Sequence, residues 1–398
     1  MRFHIVGLPI LPVSEKYNAE AFTQKILKLC KMLMSLKHEV ILYGVEGSEA
    51  QCSEFVQIIS LKEVIKTWGN GDNRFELGYD CQKEYYHNDF NSQVTPLTLE
   101  FNRKVIIEIN KRKKPDDFLL LAMGHYQKPI ADEVGLYLTC ESGIGYRGSF
   151  KFYGNKNEFR NHRTFESQYL QNFTYGNEER DPNIDGNFYD RVIPNYFDPK
   201  DFEYSEEKDD YYLFIGRLIK RKGLGVASDV AKIMGKKLKV VGQGVKSWNG
   251  KKLVGIDTEI EGDHIEFVGY ADFEKRKKLL AKAKLTLIPT LYLEPFGGVN
   301  VESQLSGTPV LTTNFGAFPE TVVNGKTGFL CNTMNDFIEG ARQIEAGKLD
   351  PKEIRKHAER YLIDNVKFEY QKWFTDLYQV YLSTTDKKYK GWYFVKEK

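Results

Sequence analysis

The sequence predicts an α/β protein built as two doubly wound layers, each a parallel sheet with helices on both faces. Three observations carry that reading. Short runs rich in Val, Ile, Leu and Phe alternate with longer segments of helical period, which is how a parallel sheet covered on both sides reads. The alternation runs twice, broken once near "VIPNYFDPKDFEYSEEKDD", where Pro194, Pro199 and an acidic cluster interrupt it. The chain has 398 residues, more than one hydrophobic core usually organises.

Taken in order, the first layer opens with a strand over Phe3 to Leu8, followed by a helix whose Phe22, Ile26, Leu29, Leu33 and Leu36 share a face. Strands are then expected at Glu39 to Tyr43, Phe118 to Met123 and Leu136 to Cys140. Between the second and third lies "GYDCQKEYYHNDFNSQVTP", polar and aromatic, read as an irregular excursion bordering a groove, with His87 a surface histidine. The second layer is expected to place strands at Tyr212 to Ile215, Leu238 to Val241, His264 to Val268, Leu285 to Pro289 and Pro309 to Thr312. A last helix bearing Trp373, Phe374, Leu377, Tyr378 and Tyr381 is expected to cross back onto the first layer. The resulting division is a first domain over 1–198, a second over 199–365, and a helix and tail over 366–398, the two domains facing across a cleft. No internal repeat or low-complexity segment is evident.

Composition narrows the function classes. A formal net charge of +2 gives no broad field for nucleic acid, so Lys111 to Lys114 and the tail "KKYKGWYFVKEK" read as a solvated helix end and a frayed terminus. The five Cys residues, Cys30, Cys52, Cys81, Cys140 and Cys331, never fall in C-x-x-C spacing, which argues against a zinc site or a disulfide framework and for a reducing, cytoplasmic setting. The N-terminal apolar run is short and broken by Pro9 and Pro12, as suits a buried strand rather than a signal peptide. No apolar run is long enough to span a bilayer, which leaves peripheral membrane contact as the only membrane association expected.

Three segments of the second layer can carry chemistry. In "FIGRLIKRKG" a strand ends at Gly216, and Arg217 and Lys222 follow on one tight loop. Open α/β sheets bind ligands at such carboxyl ends, and an Arg fork with a Lys point charge suits a diphosphate. In "KVVGQG", Gly242 and Gly244 close a strand and let a ligand approach the backbone, but Ser247 stands where a third glycine would complete the dinucleotide fingerprint, which disfavours a NAD-dependent dehydrogenase. In "EPFGGVNVE" a helix starting near Phe296 would offer the amides of Phe296, Gly297 and Gly298 to an anion, the bare glycines leaving room for it. Glu294, outside that helix, and Glu302, within it, can accept from hydroxyls at opposite ends of a ligand whose phosphates lie between them and the basic loop.

The order and spacing of "GRLIKRKG", "EPFGGVNVE" with its two Glu separated by seven residues, and "SGTPVLTTNFGAFPETVVNGKTGFL" resemble family 4 of the retaining glycosyltransferases, which have the GT-B fold of two Rossmann-like domains. The resemblance covers the second half of the chain; in the first it rests on the strand and helix rhythm and on "VIPNYFD". It implies that Arg217 and Lys222 hold the diphosphate of a nucleotide-sugar donor, that Glu302 accepts from the ribose and Glu294 from the sugar, and that Val268 and Gly269 lie near the base. It implies that the amides of Phe296, Gly297 and Gly298 hold sugar and phosphate, and that catalysis uses no metal or other cofactor. No D-x-D occurs in the chain. In many relatives a histidine follows a late first-domain strand and faces the donor sugar. In this chain "GLYLTC" is followed by "ESGIGY", so Glu141 stands in that place, with Gly143 and Gly145 to bring its loop close to a ligand; His125, after the preceding strand, is the second candidate. The function expected is transfer of a hexose or pentose from a UDP- or GDP-linked sugar to a hydroxyl of a carbohydrate or glycan acceptor, with retention. A nucleotide-sugar-binding protein without transferase activity and a sugar epimerase on the same fold are the alternatives.

Overall fold

The computed structural model describes residues 1–17, 20–68, 95–121, 124–142, 162–177 and 190–385. The chain divides into two units: of the described residues, the first takes those up to Tyr196 and those from Ile363 onward, the second the stretch 197–362. Among the described residues no helix is long and apolar enough to cross a membrane. The excursion with His87, the loop holding Gly143 and Gly145, Cys81, the end of the third expected strand at Met123 and the basic tail lie outside the described residues.

The first unit runs β1 (Arg2–Val6), α1 (Ala21–Ser35), β2 (Glu39–Val45), β3 (Glu54–Ile59), α2 (Leu61–Trp68), α3 (Pro96–Arg112), β4 (Phe118–Leu121), α4 (Gly124–Val134), β5 (Leu138–Ser142), β6 (Arg163–Phe165), α5 (Gln168–Asn177) and β7 (Arg191–Val192). Its strands form one sheet in the order β3-β2-β1-β4-β5-β6-β7, with every pairing parallel. Strand periodicity sends alternate side chains to opposite faces. Phe3, Ile5, Val40, Leu42, Phe118 and Leu120 pack with Ile26, Leu29 and Leu33 of α1, while Ile41, Tyr43, Leu119 and Leu121 pack with Phe101, Val105 and Ile109 of α3. Helix starts are chemically marked: the Glu20 side chain accepts from the amide of Thr23 at 2.6 Å, and Thr95 accepts from Thr98 at 3.1 Å just before Pro96.

The C-terminal helix, Ile363–Thr385, belongs to this unit. Its Trp373 and Phe374 are buried in the same core as β1 and β4, and the Phe374 ring meets Phe3 and Phe118 edge-on at 4.8 and 5.3 Å. Aromatic edge-to-face contacts of this kind add to the area buried.

The second unit runs β8 (Tyr211–Ile215), α6 (Leu224–Ile233), β9 (Lys237–Val241), β10 (Ser247–Trp248), β11 (Lys252–Val254), β12 (Glu259–Glu261), β13 (Ile265–Gly269), α7 (Phe273–Lys282), β14 (Leu285–Ile288), α8 (Gly298–Leu305), β15 (Val310–Thr313), α9 (Phe318–Thr321), β16 (Gly328–Cys331), α10 (Met334–Glu345) and α11 (Pro351–Ala358). Six strands form a parallel sheet in the order β13-β9-β8-β14-β15-β16, and β10, β11 and β12 form a small antiparallel sheet. Each unit is thus a Rossmann-like domain. In each, the order of connection reverses beside the first strand, between β1 and β4 and between β8 and β14. At such a point neighbouring loops diverge and leave a crevice at the carboxyl ends of the strands.

Candidate active site

The crevice of the second unit is built from the loops that leave β8 and β14. Beyond β8 the chain turns at Gly216 and Arg217, buries Leu218 and Ile219, and forms a single 3₁₀ turn over Lys220–Lys222. Gly223 closes that turn at φ 78°, and a Cβ there would stand 1.9 Å from the carbonyl oxygen of Pro289. Only glycine permits both the left-handed backbone and the approach. The amide of Leu291 donates to the carbonyl of Arg221 at 2.7 Å, which ties the two loops together.

Across that tie the Lys222 ammonium lies 3.0 Å from a carboxylate oxygen of Glu294 and donates to the phenol oxygen of Tyr292 at 2.8 Å. It also sits over the Tyr292 ring, 4.8 Å from its centroid, with the Arg221 guanidinium 5.2 Å away. Burial first, and then the charge and hydrogen bond of Glu294, hold the Tyr292 proton on far above the ordinary phenol range, while the charges of Arg217 and Arg221 oppose this. Sequence reading brought Arg217, Lys222 and Glu294 together and missed Tyr292, whose signal was the alternation of "TLYLE". Thr290 is buried while Leu291 and Leu293 are exposed, so Tyr292 and Glu294 share the inward face.

Glu294 is held from behind by the loop after β15. Gly316, at φ 58°, leaves space that a Cβ would fill at 2.4 Å from the Glu294 carbonyl oxygen, and the amide of Ala317 donates to that carbonyl at 2.9 Å. Helix α8 starts at Gly298 rather than near Phe296, because Gly297 takes the left-handed conformation at φ 80° and caps it. Phe296 is only 3% exposed: its ring packs with Phe197 and Tyr361, so the segment before the cap is pinned by apolar burial rather than coiled into the helix. No described residue accepts from the backbone amides of Phe296, Gly297 or Gly298, which leaves polar donors at the positive end of α8. The expected room at the two glycines exists at Gly298, where the nearest atom to a Cβ would be 3.9 Å away. At Gly297 the Phe318 ring fills it, 2.5 Å from where a Cβ would stand.

Helix α8 is anchored by buried amides absent from the sequence reading: Asn300 donates to the Thr321 hydroxyl at 2.5 Å and Gln304 to the Thr321 carbonyl at 2.9 Å. One turn along α8, Glu302 forms an ion pair with Arg276 of α7. Gly269, the last residue of β13, at φ 83°, has nothing near its missing side chain, and the carbonyl of Val268 accepts from Lys275 at 3.1 Å. Gly242 and Gly244 serve the backbone and its packing: a Cβ on Gly242 would lie 1.8 Å from the carbonyl of Gly216, and one on Gly244 would lie 2.8 Å from Ile256.

In the first unit Glu141 is part of β5, paired with Leu121 on one side and Arg163 on the other. The strand runs two residues beyond the expected end at Cys140 because β6 continues the ladder there. The Glu141 side chain is 2% exposed. The Lys25 ammonium of α1 feels the charges of Glu166 and Glu141, and it donates to the side-chain oxygen of Asn195 at 2.8 Å; burial nonetheless lowers it to about 8. Glu141 is therefore one member of a buried charged group at the carboxyl end of this sheet, rather than a solvated turn residue. His125 lies in the first turn of α4, and its side chain is outside the described residues.

Residues 198–361 match the family model of glycosyl transferases group 1. Over 207 residues the chain is 28% identical to an uncharacterized glycosyltransferase of Methanocaldococcus jannaschii, covering 51% of this chain and 57% of that protein. Over 121 residues it is 35% identical to the glycogen synthase of Mycobacterium tuberculosis, covering 29% of this chain and 28% of the synthase. It thus spans little more than half the length of the first of these relatives and less of the second. Among solved structures, a glycosyltransferase involved in avilamycin A biosynthesis superposes with a TM-score of 0.61 at 20% identity, covering 95% of this chain and 98% of that one. Anabaena HepE in complex with UDP-glucose gives 0.59 at 15% identity over 96% of this chain and all of that one. The fold is that of the GT-B glycosyltransferases, and the match to the glycosyl transferases group 1 model extends over residues 198–361.

Proposed function

We propose that the protein is a retaining glycosyltransferase that moves a hexose or pentose from a UDP- or GDP-linked sugar to a hydroxyl of a carbohydrate acceptor. The observation that carries this reading is the meeting of Lys222, Glu294 and the open amides before α8 at the crevice between β8 and β14, inside a group 1 domain. Arg217 and Lys222 would meet the charge that grows on the diphosphate as the sugar departs, and the amide of Gly298 would add a fixed dipole. Glu294 would accept from sugar hydroxyls and Glu302 from the ribose, with the base near Val268 and Gly269. No metal or other cofactor is assigned. Glu141 would be the first-domain group directed at the sugar, with His125 the competing candidate, and the scattered cysteines suit a cytoplasmic setting.

Screening UDP- and GDP-sugars for thermal stabilisation identifies the donor, since a ligand at about 100 times its dissociation constant adds about 2.7 kcal/mol. Incubation with glycan acceptors then separates the possibilities: a glycosylated product supports transfer, unchanged donor a binding protein, and an altered sugar an epimerase. Proton NMR of early product from a donor of known anomeric form is expected to show that form retained; an inverted product would refute the stereochemical part. Full activity in EDTA is expected, and loss restored by manganese or magnesium would count against metal-free catalysis. For the first domain, Glu141→Gln is expected to lower kcat at saturating donor while donor affinity holds. An inactive His125→Ala beside a fully active Glu141→Gln would move the role to the histidine.

A further inference from the structure

We propose that Tyr292 is a positioning residue that hands Lys222 from Glu294 to the diphosphate while keeping Glu294 paired for the sugar. This role rests on the proposed nucleotide-sugar donor and adds a residue to its site. One ammonium serves two neighbours: Lys222 is 3.0 Å from the Glu294 carboxylate and 2.8 Å from the Tyr292 oxygen. Both partners of the ion pair are mostly withdrawn from solvent, at 21% and 13% side-chain exposure. A diphosphate entering this crevice competes for the same ammonium, and if Lys222 turns to it Glu294 loses its cation. A poorly solvated carboxylate left without a partner is costly. Tyr292 answers both needs. Its ring face holds the ammonium near the crevice whichever anion it pairs with, since the cation lies 4.8 Å from the centroid. Its hydroxyl, kept protonated by burial and by the charge of Glu294, can donate to that carboxylate once the lysine has moved.

The ring and the hydroxyl thus have separable tasks, which sets the experiment. Tyr292→Phe keeps the ring and loses the hydroxyl; Tyr292→Leu loses both. Affinity for UDP and for GDP is measured by calorimetry, and turnover of UDP-glucose and GDP-mannose by release of the nucleotide. We expect Tyr292→Phe to leave UDP or GDP affinity within about twofold and to lower kcat with the sugar donor by about tenfold or more, the range of one lost hydrogen bond to a charged group. Tyr292→Leu is expected to weaken nucleotide binding as well. In a Glu294→Gln background the Tyr292→Phe effect is expected to shrink to less than about twofold, since the two act as one unit. Three results would overturn the proposal: a Phe variant with full turnover, Phe and Leu variants that lose binding and turnover by one common factor, or a Phe effect undiminished beside Glu294→Gln. If the unaltered protein binds neither nucleotide, the donor reading falls and this proposal with it; normal nucleotide binding with a silent Tyr292→Phe overturns the role of Tyr292 alone.

Discussion

Arg217 and Lys222 stand on one short loop, yet the structure gives them different surroundings. Lys222 is held by Glu294 and Tyr292, whereas the Arg217 charge acts on the Tyr292 phenol. If both stabilise a departing diphosphate, Arg217→Ala and Lys222→Ala are each expected to cost roughly 1.5 to 3 kcal/mol in transition-state stabilisation, about ten- to a hundredfold in kcat/KM. Nucleotide affinity should change less. Steady-state kinetics on the donor found by screening checks this, and normal turnover in both variants would remove the assignment. These residues were legible because charge, glycine and loop length are visible in a sequence. The place of Tyr292 was not, since it depends on which face of an irregular segment the side chain occupies. The task of Gly316 was also hidden. Gly316→Ala is expected to displace Glu294, because a Cβ would collide with the Glu294 backbone at 2.4 Å and the backbone is left-handed at φ 58°. A crystal structure of that variant with Glu294 unmoved would contradict the close packing of the two loops.

At the scale of elements, the strands β1, β2, β4, β8, β14 and β15 were readable because burial on both faces makes them largely apolar, and β9 because Leu238, Val240 and Val241 bury one end of it. β3 escaped notice because Glu54 and Gln57 interrupt it at the sheet edge, and β16 because "GKTGFL" reads as a turn. Gly328 is there because β15 runs so close that a Cβ would lie 2.2 Å from the carbonyl of Val310. The start of α8 was misplaced by two residues, since nothing local says that Phe296 is buried among rings from distant segments. The far ends of α7 and α8 are joined by Lys208, whose ammonium donates to the carbonyls of Ala281 and Ser306 at 2.8 and 3.3 Å and to the Thr308 hydroxyl at 2.7 Å. None of these acceptors carries a charge, so burial prevails, aided by Lys282, and lowers Lys208 to about 7. In the unfolded chain the same lysine titrates near its ordinary value of about 10.4. Between roughly pH 7 and 10 the unfolded chain therefore holds more protons, and this residue makes stability rise with pH; below pH 7 it is charged in both states and that gain is absent. Urea unfolding of the wild type and of Lys208→Met from pH 6.5 to 9.5 is expected to show the wild type gaining on the variant as pH rises. Parallel curves would show that Lys208 keeps an ordinary pKa.

For the molecule as a whole, the two units have separate cores, and the C-terminal helix completes the first of them. Its aromatic stripe made the return to the first layer legible, because Trp373, Phe374 and Leu377 recur at helical spacing in a segment that follows the second layer. Trp373 is 1% exposed and packs beside Phe374, which itself touches β1 and β4. Removing so large a buried ring typically costs about 3–5 kcal/mol, a large share of the stability of a domain of this size. Because the proposed donor crevice is assembled from β8, β14 and α8, none of which belongs to that core, the loss should fall on one unit alone. Calorimetry of Trp373→Ala is expected to show the first unit unfolding at a lower temperature, while added UDP or GDP still raises the transition of the second. A single transition, with nucleotide stabilisation abolished, would mean that the second unit depends on the first for its own fold.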